Sequence, residues 1–128
     1  MTKNLKSLFI IQWVLFSSLI FYLSSQSYFP MIPQDILNQD KIIHLFLYTA
    51  YGLSSMFFIF AIIKDKKNMT KVYFVAILLA VVFAASDEFH QSFVPNRTCD
   101  IFDFLTDVIG ILFSIYFFKL ILKKFKLN

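Results

Sequence analysis

The sequence predicts an all-α fold: a four-transmembrane-helix bundle, both termini cytoplasmic, with a polar cluster near the extracytoplasmic side. Three observations lead there. The chain is 59% hydrophobic and 16% charged, with eighteen phenylalanines and a mean hydropathy of +0.70, the composition of an integral membrane protein. Its apolar runs approach the roughly 20 residues that cross a bilayer core. Its lysines gather at the ends of those runs, as membrane-flanking charge does. A net charge of +4 distributed this way is no nucleic-acid footprint, so the lipid bilayer is the expected partner and nucleic acid is not. At 128 residues the chain makes one domain, residues 1–128. Cys99 is the single cysteine, which excludes an intrachain disulfide and any multi-cysteine metal motif.

The first span is expected over about residues 5–24, where LKSLFIIQWVLFSSLIFYL carries no charge after Lys6. Lys3 and Lys6 before an apolar run, and Ser25-Gln26-Ser27 after it, have features of a secretory signal and its cleavage site. The run is longer than the ~7–15-residue core of such signals, so a retained span is expected. Pro30 and Pro33 cannot continue a helix and mark a loop. The second span, about 41–63, starts at Asp40-Lys41 with Asp40 as its expected N-cap. Asp40, His44 and Tyr48 recur every four residues and line one face from the membrane edge inward. Gly52 and Ser55 extend that face and admit a close neighbour.

A lysine-rich connection, KDKKNMTK, leads to the third span, expected over about 72–93. Its apolar part is short for a crossing, so the helix should continue through Ser86–Gln91 and stop before Pro95. Ala76, Ala80 and Ala84 form a small-residue ridge along it. The fourth span, about 101–122, has Asp100 as its expected N-cap. Asp100, Asp103, Asp107, Gly110 and Ser114 place one narrow polar stripe on an otherwise apolar helix.

The basic residues orient this bundle. With the N-terminus inside, Lys3, Lys6, Lys64, Lys66, Lys67, Lys71, Lys119, Lys123, Lys124 and Lys126 face the cytoplasm, and only Lys41 and Arg97 face out. That asymmetry follows the positive-inside rule. Of the eight acidic residues only Asp65 then lies inside. Ionisable side chains from three spans converge on the outer side, where intramembrane charge marks a candidate functional site.

Three ordered blocks carry a family likeness: SSQS with a following proline and DKIIHLFLYTAYG; then DEFHQSFVPNR; then DIFDFLTDVIG. They resemble the VanZ-like family of small integral membrane proteins over about residues 20–116. On that resemblance Asp40, Lys41, His44, Tyr48, Asp87, Glu88, Gln91, Pro95, Arg97, Asp103, Asp107 and Gly110 occupy the family's motif positions. Asn96 stands where the family's turn usually has glycine, a backbone position asparagine tolerates better than most residues. Asp107 stands where the family alternates between Asn and Asp. The resemblance implies a multi-pass protein of the bacterial plasma membrane and a link to resistance to the glycopeptide teicoplanin.

Asp87 and Glu88, being adjacent, point about 100° apart on a helix and cannot form a carboxylate pair alone. Asp87, Glu88, His44 and Asp103 are the candidate catalytic groups, with Asp87, Asp103, Asp107 and His44 expected to meet in a water-accessible pocket. Lys41, Arg97, Tyr48, Gln91 and Asp107 are the candidate ligand-binding residues. Arg97, in the turn after Pro95, could grip a phosphate or carboxylate at two points, with Lys41 beside it. An anionic lipid headgroup or the pyrophosphate of a lipid-linked cell-wall precursor fits such a mouth. Asp40, Pro95, Asp100 and Gly110 read as structural. No cofactor is expected, although His44, His90 and Asp87 could ligate a divalent metal. Ser86 and Ser92 lie near His90 but lack the glycine elbow of a serine nucleophile. The plain alternative is a salt-bridge and capping network that locks four helices together.

Three classes of function fit these residues. One is a membrane protein that modifies or shields an envelope component; another is a small transporter or proton conductor, because aspartates on one helix stripe recur in relays. The last is an accessory subunit without chemistry of its own. The residues assign no reaction and no oligomeric state.

Overall fold

The computed structural model describes residues 3–27, 39–63 and 68–125. Among them are four helices and no strand: α1 (Lys3–Ser24), α2 (Gln39–Ile62), α3 (Met69–Gln91) and α4 (Ile101–Phe125). Each is long and apolar enough to cross a membrane. The loop holding Pro30 and Pro33 lies outside the described residues, as do Lys64, Asp65, Lys66, Lys67 and Lys126.

Helix ends depart from the sequence expectation for identifiable reasons. α3 begins at Met69 rather than 72 because Asn68 caps it, its side chain accepting from the Lys71 N–H. It ends at Gln91, two residues short of 93, where Ser92 takes the C-cap position. Asp40 is not the N-cap of α2: the helix already includes Gln39, and Asp40 sits in its first turn with its carboxylate accepting from the adjacent Lys41 N–H. Asp100 does cap α4, accepting from the Phe102 N–H at 2.8 Å, so one amide that the first turn leaves free is satisfied. α4 continues three residues beyond the expected 122, to Phe125.

Side-chain pairs show how the helices run. Gln12 donates to Ser54 (2.8 Å), Trp13 to Ser55 (3.1 Å), and Ser17 meets the Tyr51 hydroxyl (3.1 Å). From Phe9 against Phe57 to Ser17 against Tyr51, numbers rise along α1 as they fall along α2, so the two are antiparallel. α2 and α4 are parallel, since Lys41 meets Asp103 and His44 meets Asp107. The ends therefore differ. The α1 and α3 C-termini share one end with the α2 and α4 N-termini, and this is termed the site end.

α2 is the central helix: half of its span is buried, against 11% for α1. α1 is held at the periphery by the hydrogen-bond ladder just described, since lipid gives helices no hydrophobic drive to associate. α2 packs most extensively on α4, and two glycines set their separation. A Cβ on Gly110 would lie 2.6 Å from the Leu45 carbonyl oxygen and 3.0 Å from the Thr49 nitrogen. One on Gly52 would lie 2.6 Å from Ser114 Oγ and 3.1 Å from Ile111 Cα. Away from the site end the core is apolar, built from Met56, Ile59, Phe60, Val72, Ala76, Phe118 and Leu122. Nearer to it, Ala80 and Ala84 pack with Ile20, Tyr48, Tyr51 and Ile111. Residues such as Phe46, Phe74, Phe113 and Tyr116 cover the outer faces, as lipid requires.

Candidate functional site

Asp87 lies on the last turn but one of α3, 4% exposed, with partners on two other helices. Its Oδ2 accepts from Ser24 Oγ of α1 (2.7 Å), the Tyr48 hydroxyl of α2 (2.9 Å) and Gln91 Nε2 (3.3 Å). Three donors on one oxygen make a cup that holds a carboxylate away from water. Its Oδ1 has no hydrogen-bond partner.

Glu88 follows in sequence but faces another way. Its Oε2 accepts from the Asp100 N–H at 3.1 Å, which ties the end of α3 to the start of α4. Its Oε1 has no hydrogen-bond partner and lies 3.9 Å from His44 Nδ1. His44 Nδ1 is also 2.8 Å from Asp107 Oδ1, while Asp107 Oδ2 is unpartnered. Glu88 is 3% exposed and Asp107 fully buried. Such groups normally find partners, because a buried unpaired acceptor costs about 1–3 kcal/mol and more when charged.

Nearer the helix ends, Lys41 Nζ reaches Asp103 Oδ1 (2.8 Å) and Asp100 Oδ2 (3.2 Å), with Asp40 at 3.9 Å. The Phe102 amide first, and then the Lys41 ammonium, hold the Asp100 carboxyl below its usual range. The α3–α4 turn is shaped by Val94 accepting from the Arg97 N–H. It is shaped also by Asn96, whose φ of 63° is the left-handed backbone that the glycine-like position demands. Arg97 Nη2 donates to Gln91 Oε1 at 2.8 Å. Because Gln91 Nε2 donates in turn to Asp87, a hydrogen-bonded chain runs from the turn to the buried carboxylate.

The sequence model of the VanZ/LLP1 family matches residues 2–122. The chain belongs to the VanZ/LLP1 family. No curated protein and no solved structure matches it.

Of the VanZ-like motif positions, His44, Tyr48, Asp87, Glu88, Gln91, Asp103 and Asp107 are all buried at one end of the bundle. Hydrogen bonds divide the expected set of Asp87, Asp103, Asp107 and His44 into neighbouring groups. Asp87 belongs to the Ser24–Tyr48–Gln91 cup, Asp103 to Lys41, and Asp107 to His44 and Glu88. The suggested metal set of His44, His90 and Asp87 is not brought together either. His90 turns to α1, where Nε2 is 3.0 Å from Ser25 Oγ and the ring stacks on Phe21. The group that gathers in its place is His44, Glu88 and Asp107, with one ligand atom of each within 4.8 Å of the others. Lys41 and Arg97 do not share a free cationic mouth, since Lys41 is matched by Asp103 and Asp100. Ser24 was missed as a site residue, and the cue was its place in the SSQS block facing three helices of acidic residues.

Proposed function

We propose that this VanZ/LLP1 chain lies in the bacterial plasma membrane with both termini in the cytoplasm, and that its site end engages an anionic component of the cell envelope. Phosphate is the shared chemistry, whether on an acidic lipid headgroup or in the pyrophosphate of a lipid-linked cell-wall precursor. Protection against teicoplanin is the expected consequence. The orientation is supported by Lys3, Lys6, Lys71, Lys123 and Lys124 at the helix ends opposite the site, which the positive-inside rule puts in the cytoplasm.

One observation carries the reading: Arg97 donates to Gln91, and Gln91 to Asp87. A guanidinium suited to two-point contact with phosphate thus stands at the surface turn, mechanically joined to a buried carboxylate that touches α1, α2 and α3. Binding at the turn would be felt at the centre of the site end.

Arg97→Ala tests this in cells carrying the protein at normal membrane level. A charge-assisted contact is worth about 1.5–3 kcal/mol, so binding should weaken roughly ten- to hundredfold and teicoplanin protection should be lost. Arg97→Lys keeps the charge without the fork and should retain part of it. Undiminished protection by Arg97→Ala would reject the reading.

A further inference from the structure

The site end holds more acceptors than donors. Asp87 Oδ1, Glu88 Oε1 and Asp107 Oδ2 are buried and unpartnered. Two of the three belong to side chains grouped with His44, and Glu88 and Asp107 are each more than nine-tenths buried. Among the described residues, His44, Glu88 and Asp107 form the group of three whose ligand atoms lie close enough to share an ion. We propose that they bind one divalent first-row transition ion of the Mn²⁺ or Zn²⁺ type. The proposal is independent of the anionic ligand above.

Donor chemistry and charge agree on the occupant. Two carboxylates with a neutral imidazole carry two negative charges, which one dication balances in a medium where bare charge is expensive. An imidazole among the ligands favours transition ions over Mg²⁺ or Ca²⁺, which take oxygen alone. Bonds of about 2.0–2.2 Å to a tetrahedral ion put donors roughly 3.3–3.6 Å apart. The distances from His44 Nδ1, 2.8 Å to Asp107 and 3.9 Å to Glu88, bracket that value. Three protein ligands would leave a coordination position open, as in sites where a metal meets water or substrate.

The surroundings fix these ligands from several sides. The Asp100 amide holds the second oxygen of Glu88. Gly110, one turn beyond Asp107, presses against α2 at Leu45, next to His44. Outer partners of this kind orient metal ligands and tune affinity. Lys41 lies nearby, its ammonium paired with Asp103 and Asp100.

The test uses full-length protein purified in detergent, stripped with chelator and dialysed against Mn²⁺ or Zn²⁺. One ion per chain is expected by elemental analysis, together with a higher thermal midpoint than the stripped protein. Co²⁺ loaded into the stripped protein should give visible absorption bands of a site with a nitrogen ligand. Glu88→Gln and Asp107→Asn keep the shape and should each weaken binding at least tenfold. Wild-type protein that holds no ion above the detergent blank overturns the proposal, whatever the variants do. Binding that survives unchanged in both Glu88→Gln and Asp107→Asn overturns it equally, since the ion then sits elsewhere. Teicoplanin protection is not the readout, so failure here leaves the Arg97 reading standing.

Discussion

The two ends of the bundle solve the same packing problem in opposite ways. Away from the site, Phe118 is buried among Phe57, Phe60 and Tyr73, whose ring centroids lie 5.0, 6.0 and 6.1 Å away in edge-on geometry. At the site end the same helices meet through Asp87, Glu88, His44, Asp103 and Asp107, and three carboxylate oxygens stay unmatched. Close packing without orphans stabilises. Orphan acceptors in a buried place cost stability. The comparison sets close apolar packing at one end against the proposed site at the other.

The largest effect that would break this division is expected at the apolar end. Phe118→Ala removes a fully buried ring. Burial of phenylalanine in soluble cores is worth about 3–5 kcal/mol on truncation. In lipid the transfer part largely drops out and packing remains, so a loss of about 3 kcal/mol is expected in reversible detergent unfolding. Metal stoichiometry and Arg97-dependent protection per folded molecule should not change. If Phe118→Ala abolished them in protein that is still folded, the two ends would not be separable.

Next in size is a contrast along the α2–α4 seam. A methyl on Gly110 meets backbone atoms of Leu45 and Thr49, which cannot move without shifting α2. A methyl on Gly52 meets the Ser114 hydroxyl, which can rotate, at 2.6 Å, and Ile111 Cα and Ser114 Cβ less closely, at 3.1 Å. Alanine regains up to about 1 kcal/mol of helix preference at either place, while overpacking costs about 1–3 kcal/mol. Gly110→Ala should therefore destabilise by about 2 kcal/mol and loosen His44 from Asp107, while Gly52→Ala should destabilise less. Equal thermal midpoints for the two variants would show that the seam is not set by backbone contact at Gly110.

The spans were legible because length and hydropathy suffice for them, and so was the convergence of acidic residues on one end, because alternating helix direction follows from four spans. The pairings were not. Asp87 and Glu88 sit one residue apart, and which of them meets His44 depends on how far α3 is rotated, a quantity fixed by Ala76, Ala80 and Ala84 against their neighbours rather than by the acidic residues. His90 comes three residues after Asp87, a spacing that puts both on one helical face, yet Phe21 of α1 and Ser25 just after it hold the imidazole. No charge in α1 hinted at that contact. The Asn68 cap, by contrast, was readable and passed over: an asparagine just ahead of the apolar run is a start signal.

The smallest effect concerns Asp100, which bridges the loop and the site end. Its carboxyl accepts from the Phe102 amide and pairs with Lys41, and both favour the charged form, the amide more than the ammonium. The folded protein thus binds a proton at Asp100 less readily than the unfolded chain does. A group depressed in this way adds stability at pH values above its unfolded pKa of about 3.9, and that contribution fades as pH falls through the lower folded value. Asp100→Ala should lower the thermal midpoint by a few degrees at pH 7, where cap and pair are both present. As pH falls below about 4 and through the lower folded value, the wild-type carboxyl itself becomes neutral, and the gap between the two proteins should narrow. A gap that stayed constant from pH 7 down through the acid range would mean that Asp100 works by shape alone. In that case the Lys41 contact would be a consequence of the fold and not one of its supports.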